Sequence, residues 1–219
     1  MMKLHWSPRS PFVRKVMIVA HETGLQDEIE CVRSPVGLSR TPDPAIIVDN
    51  PLCKIPTLVT EDGLALFDSR VICEYLDLRT GTGLFPSELA PRMAQIRWQA
   101  LADGMTDILL IWRTELTRET GPWQAVVDVW SEKVRASMQK LEDEAGALAS
   151  TPFGIGQITV ICALGQLDLR WPESDWRRHF PMLAEAEANW KTRPSVAAYP
   201  VSDGGEANPG DLTKGHLRF

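Results

Sequence analysis

The feature that most constrains this chain is a change of character at Gly81–Pro86. Before that break, strand and helix signals alternate. After it, every long segment has helical periodicity. Lys3–Trp6 predicts a strand, and Ser7-Pro8-Arg9-Ser10-Pro11 interrupts it. Ser10 followed by Pro11 opens a helix, because a hydroxyl caps the orphan N–H groups and Pro suits the first helical position. Phe12, Val13, Val16, Met17, Val19 and Ala20 supply an apolar face at helical spacing, and Gly24 ends it. Glu28–Val32 predicts a second strand, and Arg33 to Asn50 is mostly loop. The apolar runs Ile55–Thr60 and Leu64–Phe67 flank Glu61-Asp62-Gly63, a hairpin signal with Pro56 where a strand tolerates it. Asp68-Ser69 then caps a helix expected to bury Val71, Ile72, Tyr75 and Leu76. The order is strand–helix–strand followed by hairpin–helix, as in a small mixed sheet.

Beyond the break, helices are expected over Arg92–Leu116, from Pro122 to about Ala149, over Gly154–Arg170 and over Pro181–Lys191. Ser202–Phe219 is Gly-rich and poor in apolar residues, which predicts an extended tail.

Composition narrows the function classes. At 219 residues the chain holds one large domain or two modest ones, and its 44% hydrophobic and 24% charged residues are ordinary globular values. The net charge is −6, and the basic residues cluster only as pairs, at Arg14-Lys15 and Arg177-Arg178. Nucleic acid and anionic membrane surfaces are therefore poor partners. The longest apolar stretches, Ile108–Trp112 and Ile158–Leu164, fall far short of the roughly 20 residues that span a bilayer. Met1–His5 lacks the apolar core of an export signal. Cys31, Cys53, Cys73 and Cys162 form no CxxC, which fits reduced thiols in the cytoplasm. The histidines are scattered, so no metal site is expected.

Four stretches in this order resemble the glutathione S-transferase superfamily: Ser10-Pro11-Phe12-Val13-Arg14-Lys15-Val16, Asn50-Pro51-Leu52-Cys53-Lys54-Ile55-Pro56-Thr57-Leu58, Phe67-Asp68-Ser69-Arg70-Val71-Ile72-Cys73-Glu74-Tyr75-Leu76, and Ile158-Thr159-Val160-Ile161-Cys162-Ala163-Leu164-Gly165. The chain looks closest to bacterial cytosolic members with Ser-Pro-Phe at the first helix. The resemblance implies an α/β thioredoxin-like N-terminal domain followed by an all-α C-terminal domain. The division would be residues 1–80 for the glutathione-binding domain, 81–87 for a linker, 88–200 for the helical domain and 201–219 for the tail.

A transferase must ionise the glutathione thiol, whose free pKa of roughly 8.5 leaves only a few per cent as thiolate at neutral pH. A hydroxyl that donates to sulfur at a helix N-terminus favours the anion twice over. Ser10 stands at such a place. On local sequence alone it is a helix cap, and the two uses coexist because a hydroxyl donates and accepts at once. Ser7 is the rival hydroxyl but lies before two breakers. The first helix of glutaredoxin-like relatives opens on Cys-x-x-Cys, whereas Ser10 and Val13 occupy those places here, which argues against dithiol chemistry.

The resemblance further implies that Pro56 is cis and that the Ile55 backbone pairs with the cysteinyl part of glutathione. Lys54 is either a solvated lysine or a point charge for the glycyl carboxylate. Ser69 and the first N–H groups of its helix would take the γ-glutamyl carboxylate, and Asp68 would face the neighbouring ammonium. Plain capping is the alternative for both. Two positions depart from the family. Cys53 stands where relatives commonly have a small residue, and is expected to be a small buried thiol, with a reactive thiol near the bound peptide as the alternative. Gly154-Ile155-Gly156-Gln157 replaces Ser/Thr-x-x-Asp, which predicts a weaker cap with Gln157 reaching back.

The acceptor would bind between the first helix and Arg92–Leu116, with Trp6, Phe12, Met105, Leu109 and Trp112 as candidates, although such a stripe at helical spacing also suits a core. The expected activity is conjugation of glutathione thiolate, the co-substrate, to a small hydrophobic electrophile by a homodimer. Peroxide reduction, isomerisation or dehalogenation on the same site, or glutathione binding without catalysis, are the alternatives.

Overall fold

The computed structural model describes residues 1–38, 40–204 and 212–219. Its N-terminal part is a four-stranded sheet in the order β2-β1-β3-β4. The strands are β1 (Met2–Trp6), β2 (Ile29–Arg33), β3 (Thr57–Val59) and β4 (Ala65–Leu66). β1 runs parallel to β2, with Met2 opposite Ile29, and antiparallel to β3, with His5 opposite Thr57. β4 is antiparallel to β3, with Leu66 opposite Leu58. The ends of β1 and β4 and the start of β3 therefore lie at one edge of the sheet. The connections carrying Ser10, Ile55-Pro56 and Asp68-Ser69 all emerge there.

Local chemistry sets the helices that leave this edge. In α1 (Pro11–Glu22), Ser10 is extended and its Oγ accepts from the Val13 N–H at 3.2 Å. Gly24 lies past the end of α1 at φ +71°, a conformation open to glycine. In α3 (Ser69–Thr80), Asp68 Oδ1 accepts from the Arg70 N–H at 2.9 Å. Met2, Leu4 and Leu58 of the sheet join Val13, Val16, Ile72 and Leu76 of the helices in one core. Val71, expected to be buried, is 46% exposed; at helical spacing it lies a full 100° from Ile72 and outside the core stripe. Within the expected loop, Asp43 caps a short α2 (Pro44–Ile47).

Within the break at Gly81–Pro86, residues 81–83 are exposed and the two residues that follow are held from α3. The Asp77 carboxylate accepts from the Leu84 N–H at 2.8 Å and the Phe85 N–H at 3.1 Å, and both apolar side chains are buried. The Leu84 carbonyl in turn accepts from the Ile155 N–H at 3.1 Å. From here the chain is helical: α4 (Leu89–Glu115), α5 (Gln124–Asp143), α6 (Ala145–Ser150), α7 (Ile155–Arg170), α8 (Trp176–His179), α9 (Pro181–Lys191) and α10 (Pro194–Ala197).

The helix expected from Pro122 to Ala149 is two helices. It breaks at Glu144, which Trp98 Nε1–H reaches at 2.6 Å and Arg97 at 2.7 Å from α4. α7 is buried along nearly its whole length and packs along α4. The replaced cap has a steric cause. A Cβ on Gly154 would sit 2.7 Å from the Leu84 carbonyl oxygen, so serine or threonine does not fit. Gln157 Oε1 accepts from the Gly154 N–H at 3.1 Å, as the sequence predicted.

The C-terminal end is not an extended tail where it is described. The Phe219 N–H donates to the Ser174 carbonyl at 3.1 Å, and its ring meets Phe180 at 5.0 Å. Leu217 is buried, and Thr213 Oγ donates to the Arg170 carbonyl. Val201 to Gly204 cross α7 and reach Pro8 and Arg33, while residues 205–211 of the expected tail lie outside the described residues.

Candidate functional site

The shared sheet edge carries the candidate residues. Ser10 is partly exposed, and among the described residues its Oγ is engaged as an acceptor from Val13, so its hydrogen can be directed elsewhere. Ser7, the rival, is buried, and its Oγ accepts from Arg33 at 3.2 Å. The Ile55–Pro56 peptide is cis, and so is Phe67–Asp68. The Lys54 carbonyl accepts from Asn50 Nδ2 at 3.2 Å and Thr57 Oγ1 at 2.9 Å, which fixes the turn before Ile55. Ser69 is buried at the first position of α3. Lys54 and Asp68 both act electrostatically on Asp107 of α4, together with Arg70 and Asp103. Burial and the Asp103 charge push the Asp107 carboxyl above its ordinary range.

Beneath this edge lies a charge cluster that sequence reasoning missed. Lys15 of α1 donates to both Asp103 oxygens at 2.7 and 2.8 Å, and Arg70 Nε donates to Oδ2 at 2.9 Å. Lys15 and Asp103 are buried. The bridge joins the helix that starts at Ser10 to the one that starts at Ser69. One signal was available: Gln95, Gln99 and Asp103 repeat at four-residue spacing and are all buried.

The acceptor candidates separate. Phe12 is partly exposed with its ring 5.6 Å from Lys15 Nζ, on the side of α1 that faces α4. Met105, Leu109 and Trp112 belong to the buried core. They are at most 1% exposed, and Trp112 packs on Trp171 at a ring distance of 4.5 Å. The periodicity was right about a shared face, but that face meets the helical core. Trp6 lines a cavity of about 200 Å³ with Ser7, Val13, Met17 and Tyr199, behind the β1–α1 turn and without any α4 residue.

All four cysteines are free thiols. Burial pushes the Cys73 thiol up to about 12. Cys53, expected to be buried, is partly exposed at φ +49°, and its Sγ accepts from the Asp43 N–H at 3.3 Å. Among the described residues no cluster of three metal-ligating side chains occurs, and no helix is long and apolar enough to cross a membrane.

Residues 9–79 match the glutathione S-transferase N-terminal domain family. The GST-like protein YibF of Escherichia coli is 32% identical over 201 residues, covering 90% of this chain and 96% of that one. The chain belongs to the glutathione S-transferase family. A glutathione transferase family member from Pseudomonas fluorescens, solved with bound glutathione, superposes with a TM-score of 0.88 at 38% identity, over 92% of this chain and 100% of that one. A second structure from that organism contains S-(propanoic acid)-glutathione, with a TM-score of 0.84 and 36% identity over the same shares. In this family member the thioredoxin-like sheet is followed by a helical part, as the superposition over 92% of the chain shows.

Proposed function

We propose that this chain is a glutathione transferase in which Ser10 activates the glutathione sulfur. The observation that carries this reading is the Ser10 hydroxyl at the N-terminus of α1, with its oxygen satisfied by Val13 and its hydrogen available. A thiolate placed there gains a hydrogen bond and the positive end of the helix dipole. Ile55 supplies backbone pairing, Ser69 and the α3 N-terminus take the γ-glutamyl carboxylate, Asp68 faces the ammonium, and Lys54 meets the glycyl carboxylate. Residues 1–80 would hold the peptide, and the helical part from residue 88 would supply the acceptor wall.

Sulfur attacks an electrophilic carbon, and catalysis is thiolate stabilisation plus positioning. The glutathione conjugate held by the Pseudomonas relative supports an acceptor site next to the sulfur. Phe12 is the apolar contact retained from the sequence, so the acceptor has an apolar body. The working form is a cytoplasmic homodimer, supported by the exposed apolar side chains Val71 and Leu78 on α3 and Leu89 and Met93 on α4.

The test is a pH titration of thiolate absorbance with glutathione on the protein. A thiol pKa lowered by one to two units, about 1.4–2.7 kcal/mol, is expected. Binding without a shift would replace the transferase reading with one of glutathione binding alone.

A further inference from the structure

Side chains alternate along β1. Met2 and Leu4 enter the core, so Lys3 and His5 project from the opposite face of the sheet. There both reach one carboxylate. Lys3 Nζ donates to Asp49 Oδ2 at 2.8 Å, and His5 Nε2 lies 2.8 Å from the same oxygen. The other ring nitrogen, Nδ1, lies 2.8 Å from Ser34 Oγ, just past β2. The Ser34 hydroxyl has the Val32 carbonyl as a second partner at 3.0 Å. An ionised carboxylate accepts and does not donate, so Nε2 carries a hydrogen whichever way the Ser34 hydroxyl turns. The Lys3 side chain is 40% exposed and that of His5 6%, so the histidine contributes more of the hold. Hydrogen bonds from His5 first and then Lys3 keep the Asp49 carboxyl below its ordinary range.

Asp49 stands at the head of the connection from α2 to β3. The Asp49 and Asn50 N–H groups both donate to the Ile46 carbonyl, at 3.1 and 2.7 Å, so the chain turns tightly as it leaves α2. The buried Asn50 then commits its side chain to the turn that follows. Its Nδ2 donates to the Lys54 carbonyl at 3.2 Å and to Thr57 Oγ1 at 3.0 Å, and its Oδ1 accepts from the Leu52 N–H at 3.0 Å. The Asn50 carbonyl accepts from the Cys53 N–H at 2.8 Å. At the far end of the segment, Thr57 stands opposite His5 in the β1–β3 ladder. Residues 49–57 therefore close on one residue. The backbone of His5 lies against Thr57 and its ring holds Asp49. Lys54, Ile55 and Pro56 lie inside that closed segment.

We infer that His5 and Asp49 are positioning residues for glutathione, which close segment 49–57 on β1 and so order the Lys54–Ile55 backbone before the peptide binds. This rests on the glutathione reading above and adds to it two residues that do not touch the ligand. Pinning both ends of a loop removes much of its freedom. A turn ordered in advance loses less entropy on binding, and affinity rises with the fraction of molecules that hold the competent form.

The experiment measures glutathione binding by calorimetry, and amide hydrogen exchange at Leu52 and Cys53 in the ligand-free protein. Asp49→Ala and His5→Leu should each weaken glutathione about tenfold and speed exchange at those two amides. Asp49→Asn keeps an oxygen for Nε2–H but loses the charge, and should weaken it about threefold. The pKa of the bound glutathione thiol should stay at its wild-type value in each variant, because the Ser10 end is untouched. A purely structural role would lower the number of binding-competent molecules and leave the dissociation constant as in wild type. That result overturns the inference, and so does a shifted thiol pKa. Where Asp49→Ala and His5→Leu do not fold, the isosteric Asp49→Asn decides, and wild-type affinity in it overturns the inference. Glutathione binding by wild type with unchanged variants removes this inference alone. Absence of binding by wild type removes the glutathione reading as well.

Discussion

Lys15 Nζ lies 2.7 Å from Asp103 Oδ1, and neither side chain reaches solvent. Eighty-eight residues apart in sequence, they join α1 to α4, and Arg70 extends the bridge to α3. The pair therefore holds Ser10 at the start of α1 and Ser69 at the start of α3 in one frame. A buried pair costs little when both charges stay, and much when one is stranded. Asp103→Ala strands Lys15 and is expected to lose about 3–5 kcal/mol in denaturant unfolding. Lys15→Met should cost less, because Asp103 keeps Arg70. The double variant Lys15→Met/Asp103→Leu should recover much of the loss, and simple addition of the two single effects would refute this coupling.

The capping role of Ser10 and the activating role proposed for it can be separated by substitution. Ser10→Ala should cost about 1 kcal/mol of stability from the lost cap, and return the bound glutathione thiol towards its free pKa. Ser10→Asp restores the cap but places an anion beside the sulfur. It should melt near the wild-type temperature and show less conjugation than Ser10→Ala. Equal thiolate absorbance in wild type and Ser10→Ala would transfer the activating role to another group.

At the other end of glutathione, Ser69→Ala should weaken binding by about 10-fold, as expected for losing one hydrogen bond to a carboxylate. Its stability should change little, because Asp68 is the cap of α3. Asp68→Ala should weaken both, since it removes the acceptor for the Arg70 N–H as well as the charge facing the ammonium. Isothermal titration alongside thermal unfolding separates the two patterns. A Ser69→Ala protein that loses stability but not affinity would make Ser69 structural.

Which parts of this site were legible follows from the range of the forces involved. Ser10, Pro11, Asp68 and the Asp62-Gly63 turn obey rules that operate within four residues, so sequence located α1, α3 and the hairpin closely. The stripe Met105, Leu109 and Trp112 was correctly placed on one face. Periodicity does not say which neighbour that face meets, and here it is α7 and Trp171. Lys15–Asp103 depends on how α1 and α4 cross, which no local pattern encodes. Gly154 looked like a weak cap, yet its small size is set by the Leu84 carbonyl on a distant segment.

Glu144 gives a pH signature outside the site. Hydrogen bonds from Arg97 contribute most, with Lys140 and Trp98 adding to them against partial burial, and they hold the Glu144 carboxyl at about 2 instead of 4.5. A carboxyl depressed in the folded state binds its proton more readily when unfolded, so folding is favoured while the group is ionised. That stabilisation is complete above pH 4.5 and is lost as pH falls towards about 2. Glu144→Gln keeps an oxygen for the Trp98 N–H but removes the charge that Arg97 and Lys140 bind. Its denaturation midpoint should lie below wild type at neutral pH, and the gap should close between pH 4.5 and about 2. Tryptophan fluorescence during denaturant titrations at stepped pH measures this. A gap that stays constant down to the lower limit would mean that the Glu144 charge does not hold the α5–α6 break against α4.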